Sequence, residues 1–367
     1  MNPLIQLKQT AAVRNMSNHV FYISQFDSHV RELYYNGKWW GNDLTAATNG
    51  PQAVGLTSFF GGSVAHVFYV SYPDAHVREL YYANGKWWEN DLTAATNGPR
   101  AGWPPNSLFD GSVAHVFYTD DPNHVRELYY ANGKWWGNDL TAATNAPQAQ
   151  PQLTSFFDGS VEHVFYVSGP GGQFDAHVRE LYYNGKWWGN DLTTATNGPF
   201  AQSDSLTSFF DGSVAHVFYV SQTLPPDLHV RELYYNGKWW GNDLTAATNG
   251  PQAVSQGLTS FFDGSVAHVF YVSYPDWHVR ELYYNGKWWG NDLTAATNGP
   301  LAGHIAQVGT LTSFFDGSVA HVFYVSYPDA HVRELYYANG KWWGNDLTAA
   351  TNGPIADSYP LTSFCVP

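Results

Sequence analysis

The chain has 367 residues and is acidic, with 17 lysine and arginine residues against 31 aspartate and glutamate residues and a formal net charge of -14. This balance argues against binding to nucleic acid or to anionic membrane surfaces, which both need clustered basic side chains. A single cysteine, Cys365, excludes an intramolecular disulfide. Since residues 1–18 lack a signal-peptide core and no 18-residue apolar run occurs, we expect a soluble protein without membrane insertion, cytoplasmic or released without a signal peptide.

One sequence unit recurs seven times and dominates the chain. Its central segment, His-Val-Arg-Glu-Leu-Tyr-Tyr, begins at His29, His76, His124, His177, His229, His278 and His331, with successive spacings of 47, 48, 53, 52, 49 and 53 residues. A period of about 50 residues built from short strands is typical of a β-propeller. One such unit is too small to be stable alone, so the copies must pack on each other.

The sequence therefore predicts an all-β, seven-bladed propeller of four-stranded antiparallel blades. A short N-terminal segment, 1–18, precedes a single domain, 19–367. The predicted repeats lie near 19–55, 56–102, 103–152, 153–205, 206–257, 258–310 and 311–360, and residues 361–364 close the first blade.

The fifth unit illustrates the predicted elements in chain order. Runs rich in β-branched and aromatic residues predict four strands, at 206–210, 214–220, 229–235 and 239–245. Asp211-Gly212 and Asn236-Gly237 are hairpin signals, because both positions of such a turn favour positive φ. The Ala-Ala-Thr-Asn-Gly segment that follows has room for one helical turn, and we interpret it as a connector between blades.

The last Leu-Thr-Ser-Phe segment, 361–364, has no further unit after it. We predict that it pairs with the first blade, whose second strand begins at His19, because a closed ring leaves no open strand edge. Residues 9–13 are a weaker candidate for the same position, since they lack the phenylalanine pair.

Fourteen of the fifteen histidines occupy two fixed positions of the unit, such as His216 and His229, and His304 is the exception. Two histidines on neighbouring strands suggest a metal site, but a third ligand is missing from the unit. The sequence therefore favours a structural role in hydrogen bonding, without metal or cofactor.

Arg231 and Glu232 are adjacent in a strand, so they point to opposite faces and do not pair with each other. Asp243 and Lys238 are possible partners. Two interpretations stay open, a repeated polar network between blades and polar groups that converge on a ligand in a groove. The Lys-Trp-Trp segment at 238–240 also has two interpretations. Either both indole rings pack in the core, or one of them lies beside a bound sugar.

Catalysis is not expected. Glycoside hydrolysis needs two carboxylates in different environments, and near-identical blades give near-identical environments. No Ser-His-Asp set or glycine-rich phosphate loop stands outside the repeat.

The unit resembles a blade of the fungal fucose-specific lectins and their bacterial relatives. The matching residues are 211–219, Glu232, Tyr235-Asn236-Gly237, Trp239 and the Ala-Thr-Asn segment at 247–249. The resemblance implies a sugar between adjacent blades, held by an arginine of strand two, a glutamate of strand three and an aromatic residue of strand four. The glutamate corresponds to Glu32, Glu79, Glu127, Glu180, Glu232, Glu281 and Glu334, and the aromatic residue to Trp39, Trp87, Trp135, Trp187, Trp239, Trp288 and Trp342.

The arginine of that family is missing, because the strand reads His-Val-Phe-Tyr and Phe218 or its neighbour fills the position. The family members commonly have six blades, whereas this chain has seven units. We predict a multivalent, non-enzymatic lectin of the fucose type, with glycans or glycoconjugates as partners. The alternatives are a structural or protein-interaction scaffold that binds through its variable loops, and an engineered or recently amplified scaffold without a selected ligand.

Overall fold

The computed structural model describes residues 17–169, 175–223, 226–303 and 311–366. Within these residues the chain forms seven antiparallel sheets. The innermost strand of each sheet contacts the innermost strand of the next, and that of the seventh contacts that of the first. The predicted seven-bladed propeller is therefore confirmed. The weaker closing candidate, 9–13, and His304 lie outside the described residues.

The first four blades, in chain order, contain the strands β1 (Ser17–Ile23), β2 (Val30–Tyr35), β3 (Trp39–Asp43); β4 (Gln52–Gly61), β5 (Val64–Tyr72), β6 (Val77–Ala83), β7 (Lys86–Asp91); β8 (Asn106–Phe109), β9 (Ala114–Thr119), β10 (Val125–Ala131), β11 (Lys134–Asp139); and β12 (Ala149–Phe157), β13 (Glu162–Ser168), β14 (Val178–Tyr183), β15 (Trp187–Asp191).

Blades five to seven contain β16 (Ala201–Phe210), β17 (Ala215–Ser221), β18 (Val230–Tyr235), β19 (Trp239–Asp243); β20 (Gln252–Ala253), β21 (Thr259–Phe262), β22 (Ala267–Tyr274), β23 (Val279–Tyr284), β24 (Trp288–Asp292); and β25 (Leu301–Ala302), β26 (Leu311–Phe315), β27 (Ala320–Tyr327), β28 (Val332–Ala338), β29 (Lys341–Asp346). The innermost strand is split into two pieces in blades six and seven. The last strand, β30 (Thr362–Val366), belongs to blade one.

A five-residue helix follows the outer strand of every blade: α1 (Leu44–Thr48), α2 (Leu92–Thr96), α3 (Leu140–Thr144), α4 (Leu192–Thr196), α5 (Leu244–Thr248), α6 (Leu293–Thr297) and α7 (Leu347–Thr351). In α5 the Asp243 side chain accepts a hydrogen bond from the Ala246 amide, and Asn249 ends the helix at φ 52°. The prediction that strand four extends to residue 245 is thus wrong by two residues. Leu244 and Thr245 are the first helical residues, because Asp243 is an N-cap.

The two hairpin turns differ from the predicted two-residue form. Phe210 pairs with Ala215, so Asp211 to Val214 form a four-residue turn in which the Asp211 carboxylate accepts from two backbone amides. The second turn has three residues where Tyr235 pairs with Trp239. It has two only in the copies with the inserted alanine, as where Ala83 pairs with Lys86.

The C-terminal strand closes the ring as predicted. β30 pairs antiparallel with β1, and Phe364 lies opposite His19. Around the axis, the inner strands are joined by hydrogen bonds between a threonine or asparagine of one blade and a serine of the next, a circle formed by Thr57–Ser107, Asn106–Ser155, Thr154–Ser208, Thr207–Ser260, Thr259–Ser313, Thr312–Ser363 and Thr362–Ser58. Every blade therefore bonds to both of its neighbours.

The apolar core consists of seven clusters, and each one lies at the interface between two adjacent blades. Phe218 and Leu244 of blade five, for example, pack with Val269 and Tyr271 of blade six. The apolar core thus lies between the units rather than inside them, as the small size of a unit requires. Among the described residues, no helix is both long and apolar enough to cross a membrane.

Candidate functional site: the grooves between blades

Each blade presents two different faces to its neighbours. In blade five, the ladder register places His216, Phe218, Glu232, Tyr234, Trp240 and Asn242 on one side, which we call the histidine face. The opposite side, which we call the arginine face, carries Tyr219, Arg231, Leu233, Tyr235 and Trp239. Residues opposite each other in a ladder share a face, and adjacent residues in a strand do not.

The histidine face of one blade packs on the arginine face of the next. The Phe218 ring meets the Trp288 ring nearly at right angles, at 6.1 Å between centroids. The corresponding pairs around the ring lie at 6.0 to 6.3 Å. The predicted glutamate and tryptophan of one unit therefore lie on opposite faces.

A glutamate of one blade instead shares a groove with the tryptophan of the next blade. The seven groove pairs are Glu32 with Trp87, Glu79 with Trp135, Glu127 with Trp187, Glu180 with Trp239, Glu232 with Trp288, Glu281 with Trp342 and Glu334 with Trp39.

The seven glutamates are buried and fully engaged within their own blades. Each is 3 or 4% exposed. The histidine of strand two donates to one carboxylate oxygen at 2.7 to 2.9 Å, and the strand-four asparagine donates to the other at 2.6 to 2.8 Å. An ionised carboxylate only accepts, so the histidine Nδ1 carries the hydrogen. The glutamate fixes the position of these two side chains.

The accessible groups of the groove are on the outer strand. Trp240 is 45% exposed, and Asn242, two residues later on the same face, is also exposed. The Lys238 ammonium lies 3.8 Å from the centre of the Trp240 ring. The same arrangement recurs as Trp40 with Asn42, Trp88 with Asn90, Trp136 with Asn138, Trp188 with Asn190, Trp289 with Asn291 and Trp343 with Asn345.

Sequence reasoning assigned the first tryptophan and the glutamate to the site and did not name the asparagine. A signal for it was present, because Trp-x-Asn spacing in a strand puts both side chains on one face. Strand three then aligns Glu232 opposite Asn242. The missing information was which of the two tryptophans stays exposed, and packing between blades decides that.

The arginines form ion pairs within one blade. Arg231 Nη2 lies 2.7 Å from Asp227, its Nη1 lies 3.0 Å from Asp243, and His229 Nδ1 lies 2.8 Å from the same Asp243. Asp243, one of the two partners considered from the sequence, thus pairs with Arg231, whereas Lys238 covers Trp240. Burial alone would raise the pKa of Asp227, but the Ser221 hydroxyl and the Arg231 guanidinium lower it below its usual range.

The two histidines of a unit do not face each other. His216 bonds Glu232 on the histidine face, and His229 bonds Asp243, which lies opposite Arg231 on the arginine face. This arrangement agrees with the structural role that the sequence favours for them.

Two carboxylates depart from the repeat. Glu89 of blade two replaces a glycine and pairs with Arg78 and Tyr69. Glu162 of blade four replaces an alanine, and burial raises its pKa to about 7, although the nearby His115 lowers it. Glu162 points into the groove toward blade three, where its Oε2 lies 3.4 Å from His115 Nδ1.

No protein-family model and no curated protein sequence matches the chain. Solved structures do share its architecture. Aleuria aurantia lectin, described as a six-bladed β-propeller with a novel fucose recognition mode, is 15% identical at a TM-score of 0.54, with 84% of this chain and 96% of that chain covered. SapL1 lectin in complex with α-methyl fucoside is 15% identical at a TM-score of 0.54, with 80% of this chain and 95% of that chain covered.

A third similar structure has a different description. A Bacteroides uniformis protein, named as a candidate 6-phosphogluconolactonase, is 10% identical at a TM-score of 0.57, with 96% of this chain and 100% of that chain covered. At such identities the likeness shows the propeller fold. The predicted resemblance to the fungal lectins is thereby confirmed at the level of the fold.

Proposed function

We propose that the protein is a multivalent, non-enzymatic carbohydrate-binding protein with its sites in the grooves between adjacent blades. The observation that carries the proposal is the sevenfold recurrence of an exposed indole beside an exposed asparagine, as in Trp240 and Asn242. An indole covers the apolar C–H face of a sugar ring, and a carboxamide both donates to and accepts from hydroxyl groups. The lectins that share the fold support this assignment.

The proposed roles divide the predicted site residues. Glu232 and its six equivalents hold the asparagine in place, since their oxygens already accept from histidine and asparagine. Trp288, from the next blade, forms the opposite wall over Phe218. A sugar in this groove would therefore contact Trp240, Asn242 and the edge of Trp288.

Fucosides are the first sugars to test, because SapL1 lectin was solved with one. The resemblance implied an arginine of strand two, a position that Phe218 or its neighbour fills here. Phe218 lies directly opposite Glu232 and has no measurable exposure. Arg231 cannot replace it, because it lies on the other face and is paired with Asp227 and Asp243. A preference for fucose would thus depend on the asparagine instead.

The test is a glycan array with labelled full-length protein, with fucosides and all other common sugar classes represented, followed by calorimetry on the best sugar. Each site should be weak, and several sites engaging one coated surface should raise the apparent affinity by about 10²–10⁴. Trp240→Ala and Asn242→Ala should each remove one site per chain. Trp103→Ala removes an exposed indole outside the repeated grooves and should leave the count unchanged.

If the folded protein binds no glycan on the array, the proposal is contradicted. The interaction-scaffold alternative makes the opposite prediction. Exchange of the variable loop between β17 and β18 should then abolish partner binding, while Trp240→Ala should not affect it.

A further inference from the structure

The groove between blades three and four differs from the other six. At the position before the strand-two histidine, five units have an alanine: Ala65, Ala114, Ala215, Ala267 and Ala320. The first unit has Asn18, and only the fourth has a carboxylate, Glu162. This side chain reaches across the groove to His115 of blade three, at 3.4 Å from Nδ1.

His115 has an unsatisfied nitrogen in this groove. His115 is 5% exposed, and its Nδ1 donates to Glu127 at 2.9 Å. Its Nε2 is buried and has no hydrogen-bond partner among the described residues. Asp110 Oδ2 lies 3.7 Å from Nε2. A buried, unpartnered nitrogen that faces the Asp110 carboxylate is unfavourable unless a cation lies between the two, either a proton on Nε2 or a metal ion.

The surrounding groups form a set of metal ligands. Asp110, His115 and Glu162 each offer one ligand atom, and these atoms all lie within 4.8 Å of one another. Asp110 keeps Oδ2 available, because its Oδ1 accepts from Ser112 and the Val113 amide. Ligand atoms at about 2.1 Å from a zinc ion lie at most about 4 Å apart, so movements of about an ångström would complete the shell.

His115 is also oriented as a metal ligand would be. Glu127 accepts from Nδ1, which leaves the Nε2 lone pair for the ion, and Asn138 in turn donates to Glu127 at 2.7 Å. A carboxylate behind a coordinating histidine fixes its tautomer and raises its basicity.

We propose that Asp110, His115 and Glu162 bind one divalent transition-metal ion between blades three and four. An imidazole nitrogen with carboxylate oxygens suits zinc and its first-row neighbours, whereas calcium and magnesium prefer oxygen ligands alone. The sequence indicated no metal because a third ligand was missing from the unit. The neighbouring blade supplies it.

The other acidic clusters do not favour a metal. The histidines of blades four to seven have the turn aspartate 3.2 to 3.4 Å from Nε2 and no glutamate opposite. Four other groups, each of two aspartates and one histidine, include Asp27, Asp74, Asp276 and Asp329. In each of them an arginine already contacts that aspartate. A second cation there would be repelled.

The test is calorimetric titration of untagged, chelator-treated full-length protein with zinc chloride, with calcium chloride in parallel. We expect one zinc ion per chain, no calcium binding and a higher melting temperature in zinc. Cobalt chloride should give a visible absorption spectrum that reports nitrogen ligation.

Two variants locate the site. Glu162→Ala restores the residue of the other units, and Asp110→Asn removes a ligand charge; each should weaken zinc binding at least tenfold. The matched control is Glu89→Gly, which also restores the repeat but lies on blade two, and it should bind zinc like the parent protein. If the protein takes up no zinc, or if Glu162→Ala and Asp110→Asn bind zinc as tightly as the parent protein, the proposal is overturned and a proton on Nε2 is left as the cation.

Discussion

At the scale of residues, the repeated histidine, glutamate and asparagine form one hydrogen-bonded unit on the histidine face. The glutamate is buried, yet both of its oxygens have donors, so its charge is held by directed hydrogen bonds. That Arg231 and Glu232 point to opposite faces was predictable from the alternation of side chains along a strand. Which residue lies across the groove from Glu232 was not, because that depends on how one blade packs on the next.

The first residue-level prediction concerns this buried carboxylate. Glu232→Ala leaves the His216 and Asn242 donors unpaired, so we expect the free energy of unfolding to fall by about 2–3 kcal/mol. Lys238→Ala, at an exposed position of the same blade, is the control and should change stability by less than about 0.5 kcal/mol. Denaturant unfolding of the three proteins measures both effects. Equal losses in the two variants would show that the hydrogen bonds of Glu232 contribute nothing.

The second residue-level prediction is a pH dependence at Asp316 and His321. Burial would raise the Asp316 pKa, but donation from His321 and two backbone amides lowers it to about 2. Burial would lower the His321 pKa, but its bonds to Asp316 and Glu334 raise it. The aspartate stabilises the fold above its unfolded pKa of 3.8, and this is lost as the pH falls toward 2. The protonated His321 stabilises the fold below its unfolded pKa of 6.5, and this stabilisation is lost as the pH rises through its raised pKa in the folded protein.

Asp316→Asn should therefore lower the melting temperature most between about pH 4 and pH 6.5, with a smaller difference on either side. Thermal melts from pH 2 to pH 9 test this window. The exposed Asp121→Asn is the control. A difference from the parent protein that stays constant across the range would contradict the assigned ion pair.

At the scale of elements, the strands were predictable and their ends were not. Runs of β-branched and aromatic residues located all four strands of the unit. The fourth ends at Asp243 because that side chain caps α5 and also pairs with Arg231, which lies on the preceding strand. The hairpin lengths follow from pairing across strands: one inserted alanine converts a three-residue turn into a two-residue turn.

The inner strands give an element-level prediction. Thr207 and Ser260 join blades five and six by a hydrogen bond of 2.9 Å. Thr207→Val keeps the shape but removes the hydroxyl, so we expect a loss of about 1 kcal/mol in unfolding free energy. Thr194→Ala, an exposed threonine where most copies have alanine, should cost less than half as much. Comparable losses in the two variants would argue against a role for the circle of hydrogen bonds.

At the scale of the whole molecule, seven units close into one ring because the C-terminal strand completes the first blade. The repeat predicted the number of blades and the closure. Removal of residues 361–367 would expose the pairing edge of β1 and the Phe21 ring that Phe364 covers at 5.3 Å between centroids. We expect the truncated chain to aggregate or to lose its cooperative melt, and Cys365→Ser, within the same strand, to melt like the parent. A truncated chain that stays monomeric and equally stable would contradict closure by β30.

Because the groove recurs seven times, carbohydrate binding between the blades can be tested by counting the sugars bound per chain. Equilibrium dialysis with a labelled form of the sugar selected on the array, carried to saturation, measures the number of sugars bound per chain. Sites built from Trp240, Asn242 and their six equivalents predict about seven weak, equivalent sites, and one fewer in Trp240→Ala. Saturation at no sugar or at one sugar per chain, or a count unchanged by Trp240→Ala, would contradict binding in the grooves between blades.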